Sequence, residues 1–408
     1  MERKLKKHGD KNRTFILRRT LPAPVKRGKK GLVIALITLF ALNLLIGVVK
    51  SDATLSEVLA LTVSRPWAEG VRQFTALLPF SLFELIVLLA VTLCVVYLVR
   101  LVTHARRRDG KALRLTGIAL TLILSFTLCY NLTAGFAYTR NNVDFPGYSP
   151  ESREEALTFA ELYFEDFFAL GGSFEVGADG RPISPYSLDE LKDVIGREYE
   201  RVINEFPEVG ALLYPGDVPV KTVVNSWFMS ESNITGIYFA PTGEANINGQ
   251  MSLSEAVVSM AHECAHGRGV MREDEANAVA YLLTLTSSDD FIRLSGYLAT
   301  YGRMAEILYY YDRTAYEAMV SAMPDPIRAE LNARYEFWSQ HGKISDISRF
   351  FNDLYLKLSG YFKGVAGYRD QSVVTPSVDP DTGETVYDVT YSPVQRMIFA
   401  ILEERLSA

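Results

Sequence analysis

AHECAHGRGVMREDEANAVAY, residues 261–281, decides how the rest of this chain is read. It contains His262-Glu263-Cys264-Ala265-His266, an H-E-x-x-H pattern, with Glu273 and Glu275 close behind. Residues four apart on a helix share one face, so His262 and His266 present two imidazoles to one point. Such a pair binds Zn²⁺, and the intervening Glu263 lies within reach of a water beside the metal. A carboxylate just downstream completes a His₂Glu set with one position left open. The competing reading is a surface helix with two solvated histidines. Three observations weigh against it. The chain has five histidines and two of them sit here. Ser252-Leu-Ser-Glu255 reads as a capping box that starts a helix at the right place. Val257, Val258, Ala261, Cys264 and Ala265 give that helix an apolar face, and polar groups buried beside such a face need partners.

Gly267 and Gly269 flank Arg268 and suit a helix end with a left-handed residue. A second helix is expected from about residue 272, with Ala276, Val279, Ala280 and Leu283 as its buried stripe. Its first turn holds Glu273, Asp274 and Glu275, which the positive helix N-terminus would favour even without a metal. The block Glu273-Asp-Glu-Ala-Asn277 resembles the E-x-x-A-D element of gluzincin metallopeptidases. That resemblance implies Glu273 as the third zinc ligand and Asn277 as a supporting residue behind the ligands. Asn in place of Asp is a departure: an amide accepts a hydrogen bond from an imidazole but adds no negative charge. Glu275 is the alternative third ligand. The two carboxylates point in different directions, so one metal takes one of them. Metzincins share a glycine turn but would need His at position 272, which is Arg here.

The net charge of −6 hides an asymmetry. Residues 1–30 are densely basic, and the C-terminal two-thirds is acidic. A basic arm can bind nucleic acid, but the apolar runs that follow point to membrane and not to nucleic acid. Residues 31–49, 82–99 and 115–134 are each long and apolar enough to cross a bilayer. The first run lies behind too long an arm for an ordinary signal peptide and reads as an uncleaved anchor. Lys and Arg concentrate in the arm and between the second and third runs. The positive-inside rule then places both in the cytoplasm and residues from 135 onward outside. In the intervening loop, 55–63 and 67–78 are expected along the outer membrane surface, with Arg65-Pro-Trp67 as an interfacial anchor. The domain expectation is a cytoplasmic arm (1–30), a three-helix membrane region (31–134) and an extracytoplasmic domain (135–408).

That outer domain reads as mostly helical with a small sheet. Helices are expected at about 151–170, 188–205, 253–266, 272–285, 289–311, 325–338, 345–359 and 392–406, with Ser187-Leu-Asp-Glu190 capping one. Strands are expected at 220–227, 237–240 and 245–247, directly before the motif helix. Residues 235–248 are assigned to an edge strand that could pair with an extended peptide, or to an ordinary hairpin turning at Pro-Thr-Gly. Residues 379–391 read as another hairpin. Cys94 and Cys129 lie in the apolar runs, so Cys264 has no disulfide partner in the outer domain. A nucleophilic role for Cys264 is disfavoured, because it points away from the histidine face.

Leu78-Pro-Phe-Ser-Leu82, Gly135-Phe-Ala-Tyr-Thr-Arg140, Pro241-Thr-Gly-Glu-Ala-Asn246 and the H-E-x-x-H…E-D-E-A-N block occur in one order. Together they resemble a family of bacterial three-pass membrane proteins defined by a domain of unknown function. The expected fold class is membrane-anchored α+β: three N-terminal transmembrane helices, then a mostly helical zincin-like domain with a small sheet beside the H-E-x-x-H helix. The expected activity is zinc-dependent hydrolysis of a peptide or amide bond outside the cytoplasmic membrane. His262, His266 and Glu273 hold Zn²⁺ and Glu263 is the general base. Oxyanion donors are sought at Tyr368, at His341 and in Tyr309-Tyr310-Tyr311, with Tyr368 first because a glycine-containing loop displays it. The expected partners are the lipid bilayer and a peptide or protein substrate. Rival readings are a receptor or scaffold with a structural zinc, which needs a fourth protein ligand, and an intramembrane protease, which the motif's distance from every apolar run disfavours. A transporter is disfavoured by apolar runs that carry almost no polar residues.

Overall fold

The computed structural model describes residues 27–359, 361, 363–368, 372–378 and 385–407, without the side chains of 27–29, 358, 367 and 368. The arm up to residue 26, and the turn at 379–384 of the expected C-terminal hairpin, lie outside the described residues. The hairpin's strands, Val373–Val378 and Thr385–Thr390, pair antiparallel.

Three helices, Arg27–Val49, Leu82–Arg107 and Lys111–Thr133, are long and apolar enough to cross a membrane. Their leucines, isoleucines and valines face outward. Such surfaces are stable against lipid and costly in water, so this is a membrane protein with three candidate spans. The second helix runs eight residues past the expected 99, through Arg100 and Arg107. Charge ends an apolar run but does not end a helix.

Between the first two spans lie Ala53–Leu59, a π-turn at Ala60–Ser64, and Arg65–Ala76. Ser56, Ala60, Ser64, Ala68 and Arg72, spaced by four, are all buried, as is Thr75. A four-residue repeat drifts round a 3.6-residue helix, and one wider π-turn resets the drift. The small side chains let the C-terminal domain approach closely. Ser56 Oγ lies 3.0 Å from Thr139 Oγ1, Ser64 Oγ donates to Leu132 O, and Tyr214 Oη donates to Ala60 O. This loop is therefore part of the domain's foundation as well as a surface strip. Its outer side keeps Leu55, Val58, Trp67 and Phe74 exposed.

The three-stranded sheet has the order β1-β3-β2, with β1 Val220–Val223, β2 Gly236–Phe239 and β3 Glu244–Asn248. β1 runs parallel to β3 (Val220 opposite Ala245), and β2 antiparallel (Gly236 opposite Ile247). The expected strand at 220–227 stops at Val223. Residues Ser226–Glu231 form a short helix instead, so the order is strand, helix, strand, strand, motif helix. Asn225 breaks the strand because its main-chain N–H, with that of Val224, turns to the carboxylate of Glu84 on the second span (2.7 and 3.0 Å).

β3 reads Glu-Ala-Asn-Ile-Asn, and every residue of it is buried. Ala245 and Ile247 belong to the apolar core that also holds the motif helix residues Val257, Met260, Ala261 and Ala265. The polar alternates are satisfied elsewhere. Glu244 accepts from Leu82 N and Phe83 N, so a carboxylate caps the positive N-terminus of the second span (3.1 and 3.0 Å). Asn246 Oδ1 accepts from Ser81 Oγ at 2.6 Å. The remote segments 78–82 and 241–246 thus interlock at the junction of membrane helix and sheet.

The core is closed by Arg153–Gly171, Leu188–Glu205, Asp290–Tyr311 and Pro393–Ser407 packed round the motif helix and its successor. Phe167 stacks on Tyr297, and Tyr163 Oη lies 2.7 Å from Thr300 Oγ1. The remaining helices include Arg313–Ala322, between the expected helices at 289–311 and 325–338.

Candidate metal centre

The motif helix is Leu253–Gly267. Ser252 caps it by accepting from Glu255 N, at 3.3 Å. Only half of the expected capping box forms: Glu255 Oε1 accepts from Trp338 Nε1 instead of reaching back to the Ser252 N–H. Ser187 and Glu190 form the complete box at the start of Leu188–Glu205. The motif helix ends through Gly269, whose φ of +88° favours glycine. Space imposes the same choice, since a Cβ there would lie 2.5 Å from the Tyr214 ring. At this end Arg72 donates to Gly267 O (3.1 Å) and Pro215 O (2.8 Å). A buried guanidinium from the membrane loop therefore occupies the negative end of the motif helix.

The turn returns the chain into Glu273–Leu285, and Glu273 in its first position faces the two histidines. His262 Nε2 and His266 Nε2 lie 3.2 and 3.4 Å from Glu273 Oε2. The three donor atoms sit within 4.8 Å of one another, and among the described residues the group has no fourth His, Cys, Asp or Glu member. Beyond these two close approaches, Glu273 Oε2 is buried with no other polar partner. His266 Nδ1 lies 2.8 Å from Val270 O. With that nitrogen holding a proton, the ring's other nitrogen, Nε2, is the one that would serve as a metal ligand once deprotonated. An orphaned carboxylate oxygen converging on two imidazole nitrogens is a donor set suited to a divalent cation. Burial opposes charge on Glu273, but the two imidazoles more than offset it and hold its carboxyl below the ordinary range. Burial likewise opposes protonation of His266, and the Glu273 carboxylate outweighs it and raises the imidazole.

Glu263 is buried on the adjoining face. Burial pushes its carboxyl up, with the imidazoles opposing. Beside it passes β2, one of the sheet's two edge strands. Gly236 sits so close that a Cβ would lie 2.6 Å from Glu263 Cγ and 2.7 Å from Oε1. The 235–248 segment is a hairpin with Gly243 at φ +66°, and its first strand lies at a sheet edge beside Glu263.

Glu275 turns away from the cluster. It accepts from Val143 N (2.9 Å) and pairs with Arg272, which fixes the segment after the third span. Among the described residues Asn277 makes no hydrogen bond to either imidazole, and His262 Nδ1 is buried without a partner. Burial pushes the Cys264 thiol up to about 12, which removes the thiolate a nucleophile would need. The side chain of Tyr368 lies outside the described residues. His341 packs on Phe337, Tyr309 on Tyr316, and Tyr310 on Tyr387, while Tyr311 meets Tyr391. Among the described contacts none of these reaches His262, His266 or Glu273.

Tyr138 is buried near enough for the Glu273 charge to bear on its phenol, as are Tyr355 and Tyr361. Burial raises the Tyr138 phenol well above the usual range, and neighbouring Tyr130, Tyr355 and the Glu273 charge add to this. It is therefore a neutral donor, in a tyrosine cluster where Tyr355 Oη donates to Tyr130 Oη at 2.6 Å. The signal for Tyr138 was present in the Gly135-Phe-Ala-Tyr-Thr-Arg140 segment. Arg72 had a weaker signal, as the one charge in a row of small residues spaced by four. A wider cleft lies at the other end of the motif helix, but its charges pair internally, Glu330 with Arg334 and Arg181.

Residues 61–374 match the family described as "Protein of unknown function (DUF3810)". The chain belongs to the DUF3810 family. No curated protein and no solved structure matches it. The matched region takes in Arg72, the second and third spans, the sheet, the histidine–glutamate cluster and the helix Ser345–Ser359.

Proposed function

We propose that this protein is a membrane-anchored, zinc-dependent metallopeptidase of gluzincin-like design, acting on a peptide or amide bond outside the cytoplasmic membrane. The observation that carries this reading is the convergence of His262, His266 and Glu273 beside a separate buried carboxylate, Glu263. The three residues would hold the ion. When bound, it would supply a Lewis acid that polarises a carbonyl and makes water nucleophilic near neutral pH. Glu263 takes a proton from the attacking water and returns it to the leaving amine, a task suited by a carboxyl that burial has raised. The edge strand β2 orients an extended substrate by main-chain pairing, and Tyr138 is one candidate for a neutral hydroxyl donor.

A structural zinc in a receptor or scaffold is the second reading. Structural sites normally close with four protein ligands. The three-member group favours the catalytic reading. Glu263→Gln separates the two, since it keeps the shape but loses the basic carboxylate. Protein termini in cells expressing the wild-type chain are compared with those in cells expressing Glu263→Gln at equal levels. Termini that disappear in the variant, which still retains its metal, are the expected result. An identical set of termini would favour the scaffold. The loss expected for a general base is roughly 10²–10⁴-fold in rate.

A further inference from the structure

The helix Ser345–Ser359 presents Ile347, Phe350, Phe351 and Leu354 on one face, 61, 64, 62 and 45% exposed. The short helix Ser226–Glu231 and the residues before it expose Val224, Trp227 and Phe228. The two are joined, since Ile344 N donates to Glu231 O at 3.1 Å and Lys343 Nζ pairs with Glu231 at 3.7 Å. Each is also tied to the ends of the candidate spans that meet the domain. Lys50, directly after the first span, donates to Ser359 O at 2.7 Å and to Asn131 Oδ1 of the third at 3.0 Å. Ser359 Oγ and Tyr355 Oη donate to Tyr130 of the third span. Glu84, in the first turn of the second span, accepts from Val224 N and Asn225 N.

We infer that these two helices form a membrane-interface surface whose partner is the lipid of the leaflet on the domain's side. Ties to all three spans fix its height at the bilayer boundary, and its apolar face continues the lipid-facing surface of the spans. Aromatic and aliphatic side chains flanked by Asp346, Arg349 and Lys357 match an amphipathic helix lying in that plane. Such an exposed row is costly in water and stable in the headgroup region. Trp227 adds an aromatic suited to the same depth. The inner side of Ser345–Ser359 carries Leu356, buried in the apolar cluster that also holds Tyr138 and Met271. Lipid contact and the wall beside the metal cluster are two faces of one helix.

Spin labels on the full-length chain in lipid nanodiscs test this. Single cysteines replace Ile347, Phe351 or Trp227 in a Cys94→Ala, Cys129→Ala background, where Cys264 is buried. Val95, outward on the second span, and Tyr335, exposed on Asp325–Gln340, serve as the lipid and water references. Accessibility to oxygen, which concentrates in lipid, is compared with accessibility to a water-soluble nickel chelate. Positions 347, 351 and 227 are expected to favour oxygen as Val95 does, with the ratio reversed at Tyr335. Preferential access of the nickel chelate at 347 and 351 would overturn the inference. So would exclusion of both reagents with dipolar broadening, the mark of a second copy seated on the face. Nickel access at Val95 would remove the membrane reading itself and this inference with it.

Discussion

Gly236 has no side chain because Glu263 occupies the space one would need. Gly236→Ala pushes a methyl against the end of a flexible carboxylate. The protein should still fold, at a cost of about 1–3 kcal/mol for overpacking, and should keep its metal while losing most of its hydrolysis. Metal analysis and terminus counts on one preparation check this. Loss of the metal in Gly236→Ala would mean that β2 supports the ligands and not the base. A second residue-level expectation concerns Cys264. Its buried thiol, held near 12, should resist alkylation at pH 8 in the folded protein and react only on unfolding, as followed by mass spectrometry. Rapid native-state alkylation would show that the motif helix is not packed as described. The juxtaposition of His262 and His266 was readable from i,i+4 spacing, whereas Glu273 rested on the gluzincin resemblance and left Glu275 open, until the structure placed Glu273 and not Glu275 with the histidines. The main-chain partner of His266 was not readable, since a Val270 carbonyl has no residue signature. Nor was the position of Tyr138, which depends on how the third span meets the domain.

At the scale of elements, the motif helix is held at one end by a residue more than 190 positions away. Arg72 satisfies the carbonyls of Gly267 and Pro215. Arg72→Met removes those bonds while preserving much of the side-chain length. A loss of about 1–3 kcal/mol is expected from carbonyls left unpaired in the interior, seen as a lower melting temperature. Arg65→Gln breaks only the half-exposed pair with Glu69 and should change stability by at most about 1 kcal/mol. Equal effects would remove the special role of Arg72. Most helices were legible because their apolar periodicity and caps are local. Ser187 and Glu190 announced theirs completely, whereas Glu255 was drawn off to Trp338, a partner that no local pattern reveals. The failed half of the 220–227 strand has a similar cause: Val224 and Asn225 give their main-chain N–H groups to Glu84, across the chain. β-like composition there was overridden by a tertiary carboxylate.

On the scale of the whole molecule, the three candidate spans, the loop helices and the domain form one hydrogen-bonded unit. Segments that looked like scattered fragments in sequence are tied in: 78–82 and 241–246 interlock at the start of the second span, and 135–138 packs with Ala60 and Ala240 after the third. On the proposed topology, three spans place the domain opposite the basic arm, and the Lys/Arg asymmetry predicts that the arm is the cytoplasmic side. A reporter active only outside the cytoplasm, fused after Ala408, should give signal, and a cytoplasm-only reporter should not. The reverse pattern would move the proposed substrates to the cytoplasm. The central claim is the metal centre, and it is tested most directly by metal content per chain in the purified full-length protein. About one Zn²⁺ per chain is expected for the wild type. Glu263→Gln and Glu275→Ala should match it, the latter at reduced stability because the Val143 N–H loses its acceptor and Arg272 its carboxylate. His262→Ala with His266→Ala, and Glu273→Ala alone, should lose it. Stoichiometric zinc retained in the double-histidine variant, or lost in Glu275→Ala and kept in Glu273→Ala, would contradict the account.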